Sequence, residues 1–171
     1  MRAFVSLAVW VLVLTFGARA EAERTEIAVT ASDVTVQGTD PFELIFAVDL
    51  PALSAQSRLD FAMLEMELDV EATGGAFVPF VVRVVPADLA GAAGATAVST
   101  AVPGEALVSR AGARQRVRID VTRVVRECMA RGEPHGMAIA VEAPAEAAAE
   151  PVVAVSSGST VARVRLFMSR R

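Results

Sequence analysis

Apolar and polar residues alternate with a period of two along most of this chain, the signature of half-buried strands. The clearest run covers residues 59–71, where Leu64, Met66, Leu68 and Val70 alternate with Glu65, Glu67, Asp69 and Glu71. Further strands are predicted at 42–50, 77–85, 115–121, 137–142, 152–155 and 160–168, with 25–37 as an opening strand pair or one bent strand. Pro79 within the 77–85 run predicts an edge strand or a bulge, because proline cannot donate to a ladder. Residues 87–112 are weakly patterned and rich in Ala, Gly and Ser, so they read as a long loop with one short strand. Turn signals fall at Gly38-Thr39-Asp40-Pro41, Gly74-Gly75 and the proline-bounded APAEAAAE stretch of 143–150.

The period changes once. Val121, Val124, Val125, Cys128 and Met129 follow the i, i+3, i+4, i+7, i+8 spacing of one buried helical face. Asp120 or Thr122 can cap its amino end, and Gly132 suits the left-handed residue beyond its carboxyl end. Eight or nine short strands with turn signals between them, plus one inserted helix, predict an all-β fold: an antiparallel β-sandwich.

Charge follows the strands. The carboxylates of 65–71 fall on one face of their strand, whereas Arg114, Arg116 and Arg118 alternate with Val117, Ile119 and Val121. Arg163 and Arg165 alternate with Ala162, Val164 and Leu166 in the same way. Like charges on one strand repel, so the acidic strand is expected beside one of the arginine strands. A one-residue slip would turn its apolar set to solvent, so the pairing also fixes register.

The amino end predicts export. Arg2 precedes an apolar stretch over 3–16, and Ala18-Arg19-Ala20 places small residues where signal peptidase cuts, with Ala20-Glu21-Ala22 as a second site. The stretch is shorter than the ~20 residues that span a bilayer. The expected organisation is a signal peptide at 1–20 and a single sandwich domain at 21–171, exported to the periplasm or the cell exterior, with no membrane span after cleavage. Cys128 is the only cysteine among the 171 residues, so no internal disulfide can form, and its place on the apolar helix face predicts a buried structural role. The chain has no Lys, Asn or Tyr; the arginine-only basic set and abundant Ala suit a GC-rich bacterial genome.

Signatures of catalysis are missing: there is no nucleophile elbow, phosphate loop, HExxH or paired-cysteine motif. His135, the one histidine, lies between Pro134 and Gly136 and reads as a turn residue. Carboxylates at i and i+2 stand about 7 Å apart on a strand rising ~3.3 Å per residue, a distance that suits glycosidic chemistry. The row 65–71 is expected on an outer face without aromatic residues, however, where no cleft forms. Asp33, Asp40 and Asp60 near strand ends are the weak calcium candidates, and neither a metal site nor a cofactor is expected. Sugar rings stack on aromatic faces, but beyond the signal peptide only Phe42, Phe46, Phe61, Phe77, Phe80 and Phe167 are available, most of them in apolar runs that predict core positions. Arginine instead suits bidentate contact with carboxylates, which makes Arg114, Arg116, Arg118, Arg163 and Arg165 the ligand-binding candidates.

Two stretches have a family character. FELIFAVDLPALSAQSRLDFAMLEMELDV (42–70) and RIDVTRVVRECMARGEPHGMAIAV (118–141) give a strand, short loop and strand, then a strand, "DVT" helix, glycine and strand; 156–167 adds a closing strand. In this the chain resembles the DNRLRE-type domain, a jelly-roll-like sandwich of exported bacterial proteins, akin to some carbohydrate-binding modules. The resemblance implies a jelly-roll order of strands, and no binding residue is transferred from it. The function expected is a non-catalytic structural or interaction module of the bacterial envelope or extracellular matrix, with other envelope or extracellular proteins as partners. The alternative is a module that binds an extracellular, acidic polysaccharide. No nucleic-acid partner is expected.

Overall fold

The computed structural model describes residues 22–30, 34–39, 42–53, 56–71, 77–89, 96–98, 101–131, 135–142, 152–155 and 160–170. The expected signal peptide, the 143–150 stretch, the Gly74-Gly75 turn, Gly132, and Asp33 and Asp40 lie outside the described residues. Among the described residues, eleven strands and one helix follow in chain order: β1 (Ala22–Thr30), β2 (Val34–Thr39), β3 (Phe42–Ala47), β4 (Ser57–Glu71), β5 (Phe80–Asp88), β6 (Thr96–Ala97), β7 (Gly104–Val108), β8 (Gly112–Asp120), α1 (Thr122–Arg131), β9 (Gly136–Glu142), β10 (Val152–Val155) and β11 (Thr160–Arg170).

They form two antiparallel sheets. Sheet A runs β1-β11-β4-β8, and β10 continues the edge of β4 on which β11 lies, because Val155 pairs Leu68 and Ala162 pairs Met66. Sheet B runs β2-β3-β9-β5, with β7 and then β6 along the far edge of β5. The chain crosses between the sheets repeatedly, after β1, β3, β4, β7, β8 and β9, so β1, β11, β4 and β8 face β3, β9, β5 and β7 in the strand order of a jelly roll. The expected fold class is therefore the observed one.

The alternation seen in the sequence places the core. Ala62, Leu64, Met66, Leu68 and Val70 of β4, Val117 and Ile119 of β8, and Val164 and Leu166 of β11 point inward from sheet A. Leu44 and Phe46 of β3, Phe80, Val82 and Val84 of β5, and Met137 and Ile139 of β9 meet them from sheet B. A second, smaller apolar cluster of Ile45, Ala87 and Ala138, with Val85 and Leu89, lies apart from this core. No described helix is long and apolar enough to cross a membrane.

The helix is fixed where β8 ends. The Thr122 hydroxyl, buried, donates to Asp120 Oδ1 (2.6 Å) and accepts from the Ala62 N–H (2.9 Å), while Asp120 Oδ1 also accepts from the Thr122 N–H (2.9 Å). Asp120 thus makes the cap, and Thr122 ties it to β4. Arg126 donates to the Leu59 carbonyl (2.9 Å) one turn later. Val121, Val124, Val125 and Cys128 are buried and Met129 packs against them, as the spacing predicts. His135 Nδ1 lies 3.1 Å from the Cys128 carbonyl, beyond the last turn.

Three expectations are corrected. The strand assigned to 77–85 begins at Phe80 and ends at Asp88, and it is a central strand rather than an edge. It tolerates a proline because Pro86 sits where β7 has ended (Val84 opposite Gly104) and β6 has not begun (Ala87 opposite Ala97). Its missing N–H therefore falls in a gap, while its carbonyl accepts from the Val98 N–H (2.8 Å). The 87–112 stretch holds two strands, β6 and β7, not one. Finally, 25–37 holds two strands, as one of its two readings had it, but β1 and β2 lie in different sheets and do not pair with each other.

Two predictions follow from packing. At Gly104 an added Cβ would stand 2.5 Å from the Asp120 carbonyl oxygen and 3.0 Å from Ile119 Cγ2, so β7 can approach β8 here only without a side chain. Gly104→Ala is expected to cost about 1–3 kcal/mol in urea unfolding, the scale of overpacking. Burial pushes the Cys128 thiol up to about 11, so a thiol-specific reagent at pH 8 should label it only when the protein is unfolded.

Candidate functional site

The outer face of sheet A is a lattice of arginine and glutamate. Register sets it: Glu65 of β4 lies opposite Arg118 of β8 on one side and Arg163 of β11 on the other. Glu67 faces Arg116, and Arg165 faces Glu26 of β1. The acidic strand therefore runs between both arginine strands, where the sequence demanded one.

Glu65 is the centre. Although it belongs to the outward row, it is only 7% exposed. Arg118 Nε donates to its Oε2 at 2.9 Å, Arg165 donates from Nη1 to the same oxygen at 3.4 Å, and Arg116 Nε stands 3.7 Å from Oε1. Burial alone would raise its pKa; the Arg118 hydrogen bond and the charges of Arg165, Arg116 and Arg118 outweigh that and hold the carboxyl below its ordinary value. A carboxyl held ionised in this way is an anchor for cations and a poor general acid.

Glu26 is the second node. It accepts from Arg165 Nε (3.0 Å) and Arg24 Nη2 (3.5 Å) and lies 3.8 Å from Arg163 Nη1. Arg116 also donates to Glu67 (3.5 Å). Five guanidiniums thus meet three carboxylates, and the lattice keeps a positive excess. Arg116, Arg118 and Arg163 remain half exposed, so N–H groups not engaged by glutamate face solvent.

Of the five candidate arginines, four share this lattice and Arg114 does not. The pairing of β8 with β4 slips between Leu68 and Val70, and Arg114 takes a left-handed conformation (φ 51°) there. Its backbone N–H donates to Asp69 Oδ1 (2.7 Å), which holds the bulge and turns the side chain out of the row.

The face was expected to lack aromatic residues, and this is corrected. Phe61 shares the outward parity of Met63 and Glu65; pairing passes from Phe167–Phe61 to Met168–Leu59, which leaves Asp60 as an extra residue of β4 and returns Leu59 to the core. Phe61 and Phe167 pack with ring centroids 5.7 Å apart and planes tilted by 41°, and the Arg24 guanidinium lies 5.8 Å from the Phe167 centroid. Phe46 and Phe80 are core, Phe77 is partly buried, and the side chain of Phe42 lies outside the description. Asp60, a weak calcium candidate, pairs with Arg58 instead (3.6 Å).

Two grooves adjoin the lattice. One, of about 500 Å³ beside α1, mixes Asp60, Asp120 and Glu105 with Arg123 and Arg126 around Phe61, so its charges nearly balance. The other, of about 360 Å³, opens between β7 and β8 and is lined by Leu107, Ser109, Arg110, Gln115, Arg116 and Arg118, together with apolar backbone neighbours. Among the described residues no carboxylate lines it. Sequence reasoning missed Arg24 and Glu26, although Arg24 and Glu26 alternate with Ile27-side positions of β1; it had no signal for Arg110, which only the β7–β8 corner brings beside Arg116.

No family model matches the chain, and no curated protein matches it.

Glu65→Gln should remove the anchor and leave three guanidiniums facing one another. The expected loss is about 2 kcal/mol at pH 7, the scale of a hydrogen bond to a charged group. Because its folded pKa is depressed, Glu65 stabilises the protein above its unfolded pKa, and that contribution disappears as pH falls through the folded value. Urea midpoints of wild type and variant should therefore converge in acid; a constant gap down to pH 2 would contradict the assignment.

Proposed function

We propose that this chain is an exported, non-catalytic interaction module of the bacterial envelope or extracellular matrix, which holds an acidic partner on the arginine lattice of sheet A. The reading agrees with the resemblance to the DNRLRE-type domain, which stands as part of the proposal. The single observation that supports it best is that Arg116, Arg118 and Arg163 are each positioned by glutamate and yet remain half exposed. An arginine fixed through one N–H by glutamate loses little side-chain freedom when its remaining N–H groups meet an incoming carboxylate. Glu65, held ionised beneath three arginines, has the surroundings of a structural anion rather than of an acid–base pair.

A second reading has a specific observation in its favour. The β7–β8 groove offers Arg110, Arg116 and Arg118 in a lining without a carboxylate among the described residues, and a polysaccharide bearing uronate or sulfate groups suits such a site. Other envelope or extracellular proteins with acidic surfaces suit it equally by charge.

Affinity electrophoresis of the purified protein in gels containing poly-glutamate, polygalacturonate or a neutral glucan tests both. Acidic polymers are expected to retard the protein and the neutral one is not. The double variant R116Q/R118Q should weaken the retardation about tenfold and flatten its dependence on salt. Equal mobility in all gels would overturn the reading.

A further inference from the structure

We propose that the groove between β7 and β8 receives an extended acidic segment of a partner polypeptide, added as a strand beside β7. The inference rests on the reading of the arginine lattice as a surface for an acidic partner, and it names the class of that partner. Three features of the groove meet three features of a polypeptide. The first is backbone. Among the described residues β7 pairs only with β5 and β8 only with β4, so each has one edge without a strand partner, and both strands wall the groove. Such an edge offers N–H and C=O groups that an added strand satisfies. A polysaccharide has no matching ladder.

The second feature is apolar. Leu107 of β7 is 68% exposed, the largest exposure among the exposed large hydrophobic residues of the described chain, and it stands in the wall of this groove. The third is charge. Arg110, Arg116 and Arg118 share the groove without a carboxylate, and Arg116 and Arg118 are held in place from behind by Glu65 and Glu67. Side chains of a strand alternate between two faces. A segment beside β7 therefore sets one set of side chains next to Leu107 and the other toward the arginines of β8. The segment that fits alternates apolar and acidic residues.

The test uses the full exported chain and four probes: the blocked ten-residue peptides (Val-Glu)5, (Ser-Glu)5 and (Val-Lys)5, and polygalacturonate. Fluorescence anisotropy of labelled probes gives affinity, and backbone amide NMR gives the place. The expected result is that (Val-Glu)5 binds about tenfold more tightly than (Ser-Glu)5, that (Val-Lys)5 does not bind, and that amide shifts concentrate at Gly104–Val108. Leu107→Asp, at an exposed position, should leave the thermal midpoint unchanged and weaken (Val-Glu)5 about tenfold, while Arg110→Gln weakens both acidic peptides. Equal binding of (Val-Glu)5 and (Ser-Glu)5 with no effect of Leu107→Asp would overturn the polypeptide strand and leave the arginine reading standing. Binding of polygalacturonate alone would do the same. Failure of every acidic probe would overturn both.

Discussion

The pairing of Glu65 with the arginines on either side of it is the constraint on which the sheet depends. β4 is the longest strand and lies between β8 and β11. Its inner row, Leu64 to Val70, supplies the hydrophobic driving force, which is blind to direction along the strand. The outer row supplies the register. Sliding β8 by two residues would keep its apolar side chains inward but would put Arg118 opposite Met63 in one direction and Asp120 opposite Glu65 in the other. An exposed ion pair contributes ~0–1 kcal/mol, so a single one would not hold a register. Glu65 is different because it is buried and shared by three guanidiniums, and losing them would strand a charge.

The same residues join the architecture to the proposed function. Arginines that hold the register through some of their N–H groups leave others toward solvent. The two bulges then shape what surrounds them. The one opposite Asp69 withdraws Arg114 from the row, and the one at Asp60 returns Leu59 to the core while Phe61 stays on the surface beside Phe167. At the β7–β8 corner, Gly104 lets the two sheets approach closely, and the strands diverge from there around the groove that contains Leu107 and Arg110.

Much of this was legible in the sequence, because regular strands and an amphipathic helix write their burial as periods of two and 3.6. The strong alternation of 59–71 and the spacing of Val121 to Met129 located β4 and α1, and charge repulsion along strands was enough to put acidic and basic strands together. What could not be read were departures from period. A bulge adds a residue without any turn signal, so Arg114 looked like a member of the ladder; Phe61 looked like core because it lies in an apolar run, although it shares the parity of Glu65. β7 was hidden because its short Glu-Ala-Leu-Val alternation sits in an Ala- and Gly-rich stretch, and β5 was displaced because a proline at a gap between two partner strands looks, in sequence, like a proline that ends one. The β7–β8 groove is formed by residues from two sheets, and local pattern contains no information on such a meeting.

The account depends most directly on the lattice existing in solution as a set of fixed arginines around an ionised Glu65. The measurement is the ¹⁵N–¹H spectrum of the arginine Nε–Hε groups, with exchange rates, in the wild type and in Glu65→Gln. The account predicts slowly exchanging Nε–H signals for Arg118 and Arg165, with that of Arg118 becoming fast in the variant and that of Arg165 staying protected through Glu26. Uniformly fast exchange of all arginine Nε–H groups in the wild type would contradict it.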